Sequence, residues 1–264
     1  MKTSDLTFWK AVAGAATAGA SCLALAQPTP QDQPSVTPYR PSVSTPAALS
    51  APGWLEIEAG LLRENAPGGS RRGSVPYTLK LAFTQDWGIR IGGDAWVTQR
   101  DEAGQRLRGL GDSVIVLKRR FGIDEFSAFG LEAGATLLTG RNGLGAEKSD
   151  YSLNAIYSAD RGPWHTDLNI VSTRIGRAEP EAGRTQLLWA ASLSRSISGP
   201  WGVVGELSGT RQRGVDGTTQ ALGALSYNVS KSLTLDAGLT RSIRSGPANW
   251  SVFTGLTMLA GRLF

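Results

Sequence analysis

From Trp54 onward the chain alternates apolar and small polar residues with a period of two, as a β-strand does when its two faces meet different surroundings. Leu233, Leu235, Ala237 and Leu239 are interleaved with Ser232, Thr234, Asp236, Gly238 and Thr240; Tyr151, Leu153, Ala155 and Tyr157 are interleaved with Ser152, Asn154 and Ser158. Turn residues divide this pattern into twelve segments, at 54–62, 75–83, 87–97, 110–121, 127–138, 150–159, 164–174, 185–196, 201–211, 218–228, 232–241 and 249–259. The chain therefore reads as all-β. Alternation alone suits a soluble sandwich as well as a barrel.

Two features separate those cases. Connectors after the even-numbered segments, near Gln85, Ile123, Arg161, Gly199 and Ser230, are shorter than most of the others. Outer-membrane barrels share this asymmetry, with short periplasmic turns and longer external loops. Aromatic residues also gather at segment ends: Phe83, Trp87, Phe121, Phe129, Tyr157, Trp164, Trp201 and Tyr227 on the short-turn side, and Tyr77, Tyr151 and Trp250 on the other. Rings that favour the headgroup level explain two such girdles in a membrane and have no counterpart in a sandwich. Trp189, in mid-segment, belongs to neither. The predicted fold is a transmembrane antiparallel β-barrel of about 12 strands over residues 54–264.

Two segments precede the barrel. Residues 1–26 have the form of a signal peptide, with basic Lys2 and Lys10, a small apolar run from Ala11 to Ala20, and Ala24-Leu25-Ala26 before Gln27. Cys22 as a lipid acceptor lacks the Leu expected three positions earlier, where Gly19 stands. Residues 27–53 carry Pro28, Pro30, Pro34, Pro38, Pro41, Pro46 and Pro52 among Ser, Thr and Gln, and read as a flexible Pro-rich periplasmic tether. No other stretch approaches the roughly 20 apolar residues of a membrane helix.

Composition narrows the chemistry. The chain has 33 Gly, 19 % charged residues and a net charge of +5, with a single His and a single Cys. A metal cluster, a disulfide framework and thiol catalysis are thereby disfavoured, and neither enzyme activity nor a cofactor is expected. His165 and Asp167 share a strand face near several serines, which would suit a barrel hydrolase, but a histidine beside a turn is more often a solvated polar residue. The glycines of Gly140-Arg141-Asn142-Gly143-Leu144-Gly145 precede no helical pattern and read as loop residues. Arg71, Arg72, Arg106 and Arg108 fall in predicted external loops, open to solvent, to lipopolysaccharide or to an anionic solute, and no nucleic-acid module is present.

A Lys or Arg facing lipid at mid-membrane costs up to about 2–4 kcal/mol. The charged alternates should therefore face the lumen: Glu56, Glu58, Lys80, Arg90, Asp94, Lys118, Glu132, Asp167, Glu206 and Asp236. With both signs present they could pair across the barrel or line an aqueous path.

The last third carries a resemblance. Thr219-Gln220-Ala221-Leu222-Gly223, Ser226-Tyr227, Leu235-Asp236-Ala237-Gly238, Pro247-Ala248-Asn249-Trp250 and Gly255-Leu256-Thr257 resemble the end of the outer-membrane transporters labelled for the meta-pathway of phenol degradation. Gly109-Leu110-Gly111-Asp112 with Lys118 resembles an earlier strand start in that family. The resemblance implies a barrel passing small, often aromatic or hydrophobic, molecules, with no catalytic residues to carry over and with Gln220 and Asp236 at its polar positions. Phe264 is similar to the terminal sorting residue read by the barrel-assembly machinery, although Arg262 occupies what should be an outward slot.

The expectation is a passive outer-membrane channel for small solutes, in contact with membrane lipid and lipopolysaccharide. The alternative is a structural or adhesive barrel with a closed lumen and partner-binding external loops.

Overall fold

A computed structural model describes residues 33–66, 69–244 and 248–264. The signal-peptide reading, and the start of the tether, lie outside them. Pro34–Phe264 forms one compact unit. Its strands are β1 (Trp54–Asn65), β2 (Arg71–Ala82), β3 (Trp87–Arg100), β4 (Arg106–Gly109), β5 (Ser113–Gly122), β6 (Ser127–Leu137), β7 (Tyr151–Arg161), β8 (Trp164–Arg174), β9 (Thr185–Ser198), β10 (Trp201–Gln212), β11 (Val215–Ser230), β12 (Leu233–Arg244) and β13 (Trp250–Arg262). Every described pairing between these strands is antiparallel. β1 pairs with both β2 and β13, and β2 with β3, so the sheet closes on itself. β4 and β5 lie end to end against β3 and make one interrupted stave, giving a closed barrel of twelve.

The fourth segment, expected over 110–121, begins at Ser113 as β5; the stave is interrupted at Leu110–Asp112 and carries an additional strand, β4, before the break. There Gly111 donates its amide to Asp94 O at 3.0 Å, and Asp112 accepts the amides of Gly140 at 2.8 Å and Ala146 at 2.5 Å. The Asp112 carboxylate ties the β6–β7 loop to the barrel wall. Gly140 is needed there because a Cβ on it would sit 2.3 Å from Gly145 Cα.

Turn chemistry explains the short end. Gly162-Pro163 and Gly199-Pro200 each join two strands, with the glycines at φ 59° and 53°. A left-handed first residue followed by proline gives the type II′ sense that matches strand twist, and the next residue, Trp164 or Trp201, begins the following strand at the girdle. In the Ile123–Phe126 turn, Asp124 accepts the Ser127 hydroxyl at 2.8 Å and the Phe126 amide at 2.9 Å, which holds its carboxyl below the usual range. The connector after the ninth predicted segment was expected to be among the longer ones, yet β10 and β11 are joined through Arg213-Gly214 alone, because Gly214 at φ 74° permits a tight hairpin.

The barrel is inside out relative to a water-soluble protein. Leu131, Leu153, Ile170 and Leu239 point outward with 53–67 % of their surface exposed, while Glu56, Lys80, Lys118 and Glu206 are buried at 0–4 %. An apolar wall around a charged interior is stable only where the surrounding solvent is hydrocarbon.

The girdle residues are placed unevenly. Phe83, Trp87, Trp164, Trp201 and Tyr227 lie exposed at the short-turn rim, where Trp201 packs edge-on to Tyr227 with ring centres 4.8 Å apart. Tyr151 and Trp250 each open a strand at the other rim. Tyr77 does not belong there: it sits halfway along β2, and its hydroxyl crosses Gly93 to Ser113 Oγ at 2.9 Å. Trp189 lies over Gly209, where a Cβ would approach its indole nitrogen to 3.0 Å.

At the C-terminus an extra residue at Ala260 shifts the register, so Leu259 faces Glu56 while Arg262 faces Trp54. Arg262 is thus turned out of the lipid-facing phase, and its Nε donates to Phe264 O at 2.9 Å. The carboxyl-terminal Phe264 is exposed beside this bulge.

Candidate functional site

The lumen of the short-turn half holds the segment from Pro34 to Gly53. Its sequence suggested a flexible tether outside the barrel, and the structure corrects that reading for these residues. Proline and small polar residues form no ladder of their own, so their backbone amides and carbonyls are satisfied by side chains projecting inward from the strands. Val36 N donates to Lys231 O at 2.8 Å, in the turn between β11 and β12. The segment then crosses the interior and returns to the wall through the pairing of Pro52 with Ala82.

Each contact uses a polar residue of the barrel lining. The Thr37 amide donates to Glu56 Oε2 at 3.0 Å, and the Tyr39 amide to Glu58 Oε1 at 2.7 Å. Val43 N and Ser44 N and Oγ all donate to the Glu206 carboxylate at 2.8–3.1 Å. Thr45 N donates to Asn169 Oδ1 at 3.0 Å, and Asn169 Nδ2 donates back to Thr45 O at 2.9 Å. Ala47 N donates to Ser158 Oγ at 2.7 Å, and that hydroxyl in turn donates to Asp167 Oδ1 at 2.5 Å.

Two side chains anchor the segment. Arg40 makes a two-pronged pair with Asp236, from Nε at 3.1 Å and Nη2 at 3.0 Å. Its guanidinium reaches that carboxylate over Gly60 of β1 and Gly255 of β13, which face each other across the ladder. A Cβ on either glycine would come within 2.8 Å of the guanidinium. Tyr39 sits between two ammonium groups, with Lys80 Nζ 4.0 Å and Lys118 Nζ 4.3 Å from its ring centre. Lys118 also donates to Tyr39 Oη at 2.9 Å and to Pro46 O at 2.5 Å.

Around this ring lies a balanced charge network. Lys80 pairs with Glu56 at 2.5 Å and Glu58 at 2.6 Å, Lys118 with Glu132 at 3.3 Å, and Arg90 with Glu132 at 3.2 Å. Three carboxylates face three cations, so the network needs no external ion. Toward the long-loop end, Arg72 bridges Glu64 at 3.2 Å and Asp94 at 2.5 Å across the inner wall. Arg72, expected in an external loop, lies on β2, where strand alternation turns it inward while Arg71 faces out.

The structure places all eleven lumen-lining candidates, Glu56, Glu58, Lys80, Arg90, Asp94, Lys118, Glu132, Asp167, Glu206, Gln220 and Asp236, on inward-facing strand positions. Most are engaged with the segment or with one another, while Gln220 donates to Ser208 Oγ at 3.1 Å nearer the long-loop end. Tyr39, Arg40, Ser44 and Asn169 escaped the sequence reading, although Tyr39 and Arg40 are the only aromatic and the only cation between Gln27 and Gly53. His165 bridges Asp160 at 2.7 Å and Asp167 at 3.1 Å. Ser158 is bonded to the same Asp167 oxygen and to the Ala47 amide, so this group supports the segment rather than arming a nucleophile. Beside it a cavity of about 520 Å³ opens between the segment and the wall, lined by Pro41, His165, Ser194, Gly202 and Asn228 among others.

Comparison with solved structures finds this architecture among outer-membrane channels. An outer membrane channel from Pseudomonas putida F1 superposes with a TM-score of 0.65 at 14 % identity, over 81 % of this chain and 97 % of that one. The NanC porin gives 0.55 at 9 % identity over 77 % and 98 %, and the KdgM porin 0.54 at 10 % over 78 % and 99 %. At such identities the likeness is one of fold. No curated protein matches the sequence. A family profile matches residues 89–260, from β3 to β13, and by that match the chain belongs to the family described as "Putative MetA-pathway of phenol degradation".

Proposed function

We propose that the protein is a bacterial outer-membrane channel for passive passage of small solutes, held closed here by its own 34–53 segment. The observation that carries this reading is the inverted barrel: an exposed apolar wall around a polar interior into which a separate, non-strand segment is fitted. Twelve staves enclose more space than the eight whose side chains fill a small barrel. That space is occupied by a segment that runs on into β1 and is held by polar contacts that can be exchanged for water. Family membership supports small aromatic or hydrophobic compounds as cargo, and the small polar lining at the long-loop end, with Ser208, Thr210, Thr218 and Gln220, supports a wetted entrance. Neither the fold nor the interior groups call for enzyme chemistry.

The balanced ion pairs favour a second reading, a barrel whose lumen stays sealed and whose external loops bind a partner. Planar-bilayer recording separates the two. The channel reading expects rare discrete openings that a small aromatic acid blocks, becoming frequent when the Arg40–Asp236 pair is removed. A folded protein that remains silent, with and without that pair, supports the sealed barrel.

A further inference from the structure

The outward face of the barrel carries a charged cluster that the lumen does not use. At the long-loop end, the register sets Arg71 of β2 opposite Arg100 of β3, and Arg100 opposite Arg106 of β4. Two residues closer to the membrane, Gly73 faces Arg63 on one side and Thr98 on the other, and Thr98 faces Arg108. Alternation puts Arg63, Arg71, Arg100, Arg106 and Arg108 on the same outward face, and all five are exposed. They surround a groove of about 350 Å³ in which Gly73 leaves the middle of the lower row free of side chain.

Neighbouring strands lie about 4.8 Å apart, so Arg71, Arg100 and Arg106 stand side by side. Like charges directly opposite one another destabilise a sheet. None of the five makes an ion pair among the described residues, whereas the inward Arg72 is held by two carboxylates. Two outward arginines at the short-turn rim are engaged instead: Arg119 stacks on Trp87 and Phe121 at 5.0 and 4.6 Å, and Arg195 on Trp164 at 4.9 Å. Directly below the unpartnered rows the same face becomes apolar, with Leu61 60 % exposed, Trp96 48 % exposed, and Val75 between them. A concentrated positive charge thus sits immediately above a lipid-facing apolar strip.

We propose that this cluster docks the phosphorylated headgroup of a lipopolysaccharide molecule, with an acyl chain running down Leu61, Val75 and Trp96. The inference rests on the outer-membrane reading, which puts the long-loop rim in the outer leaflet. Charge complementarity and continuity with the apolar wall select the occupant: an anion bound here must also be an amphiphile. Guanidinium groups take phosphate oxygens in pairs, and a lipid with two phosphates can span the upper row and Arg63 or Arg108 below it.

The test titrates the folded full chain in nonionic detergent with bisphosphorylated lipid A, phosphatidylglycerol or inorganic pyrophosphate, following adducts by native mass spectrometry and thermal unfolding in parallel. The expected result is a lipid A adduct that raises the unfolding temperature, with binding at least tenfold weaker in R71Q/R100Q/R106Q. That variant, relieved of repulsion, should unfold no earlier than the parent when no lipid is present. R119Q/R195Q, which removes charge at the other rim, should bind lipid A like the parent. Equal lipid A binding by the triple variant overturns the proposal. So does a response to pyrophosphate or to phosphatidylglycerol as strong as that to lipid A, since the site would then read a free anion or any anionic lipid. Should the triple variant fail to fold, R63Q/R108Q carries the same comparison. Conductance is recorded on the same samples: a loss of lipid binding with openings retained leaves the channel reading intact, and silence with lipid binding retained does the converse.

Discussion

Tyr39 should govern how firmly the lumen is closed. Its side chain is 7 % exposed, its ring contacts two ammonium groups, and its hydroxyl both accepts from Lys118 and donates to Ala48 O at 2.9 Å. Tyr39→Phe keeps the ring and removes two hydrogen bonds, one of them charge-assisted, at about 2–4 kcal/mol. If all of that loss falls on the docked state, the released population rises roughly thirty- to a thousandfold. Tyr39→Ala removes the ring as well. Truncating a buried aromatic costs about 3–5 kcal/mol, and two desolvated cation–π contacts lie within that sum, so release should rise roughly a hundred- to several-thousandfold. The barrel ladder does not depend on this residue, so the folded fraction on a heat-modifiability gel should not change. Open probability in a planar bilayer, and hydrogen exchange of residues 36–50, should increase in the order parent, Phe, Ala. Exchange in that segment unchanged in the Ala variant would refute the anchoring role of Tyr39, and increased exchange without added conductance would show that releasing the segment does not open the pore.

Other substitutions probe different layers of the structure. Gly255→Val puts side-chain atoms where the Arg40 guanidinium passes and should release the segment as Asp236→Asn does, read as matched protease sensitivity near Arg40 in the two variants. Breaking that largely buried pair from one side should cost the docked segment about 3–5 kcal/mol. Leu131→Arg, on the lipid-facing wall, should lower barrel stability in vesicles by about 2–4 kcal/mol in urea titrations, with the closed state undisturbed. Asp112→Ala frees the Gly140 and Ala146 amides and should raise hydrogen exchange across residues 138–150 while leaving the 34–53 segment protected.

The wall of the barrel was legible because lipid imposes a rule that each strand obeys by itself. Leu233, Leu235 and Leu239 had to share one face and Asp236 the other, whatever the neighbouring strands did. Gly-Pro-Trp at 162–164 and 199–201 likewise carried turn and girdle residue together, because a positive-φ glycine and a headgroup-seeking ring are local requirements. Where the rule weakened, so did the reading. The Ala260 bulge re-aimed Arg262, and the interruption at Leu110–Asp112 followed from a loop about thirty residues away.

Alternation along one chain, together with the short connectors and the aromatic girdles, thus determined the class of fold, the inward phase of Glu56, Lys118, Glu206 and Asp236, and the outward phase of the apolar wall. Tertiary structure alone decided what those inward groups hold. A proline-rich stretch has no periodicity and no hydrogen-bonding pattern of its own, so nothing in residues 34–53 distinguishes a free tether from a segment seated in a lumen. Its amides meet Glu206, Asn169 and Ser158 only after closure of the barrel has brought residues more than a hundred positions away to the same interior. The row of Arg71, Arg100 and Arg106 arises in the same way, since like charges become neighbours only once register has set three strands side by side.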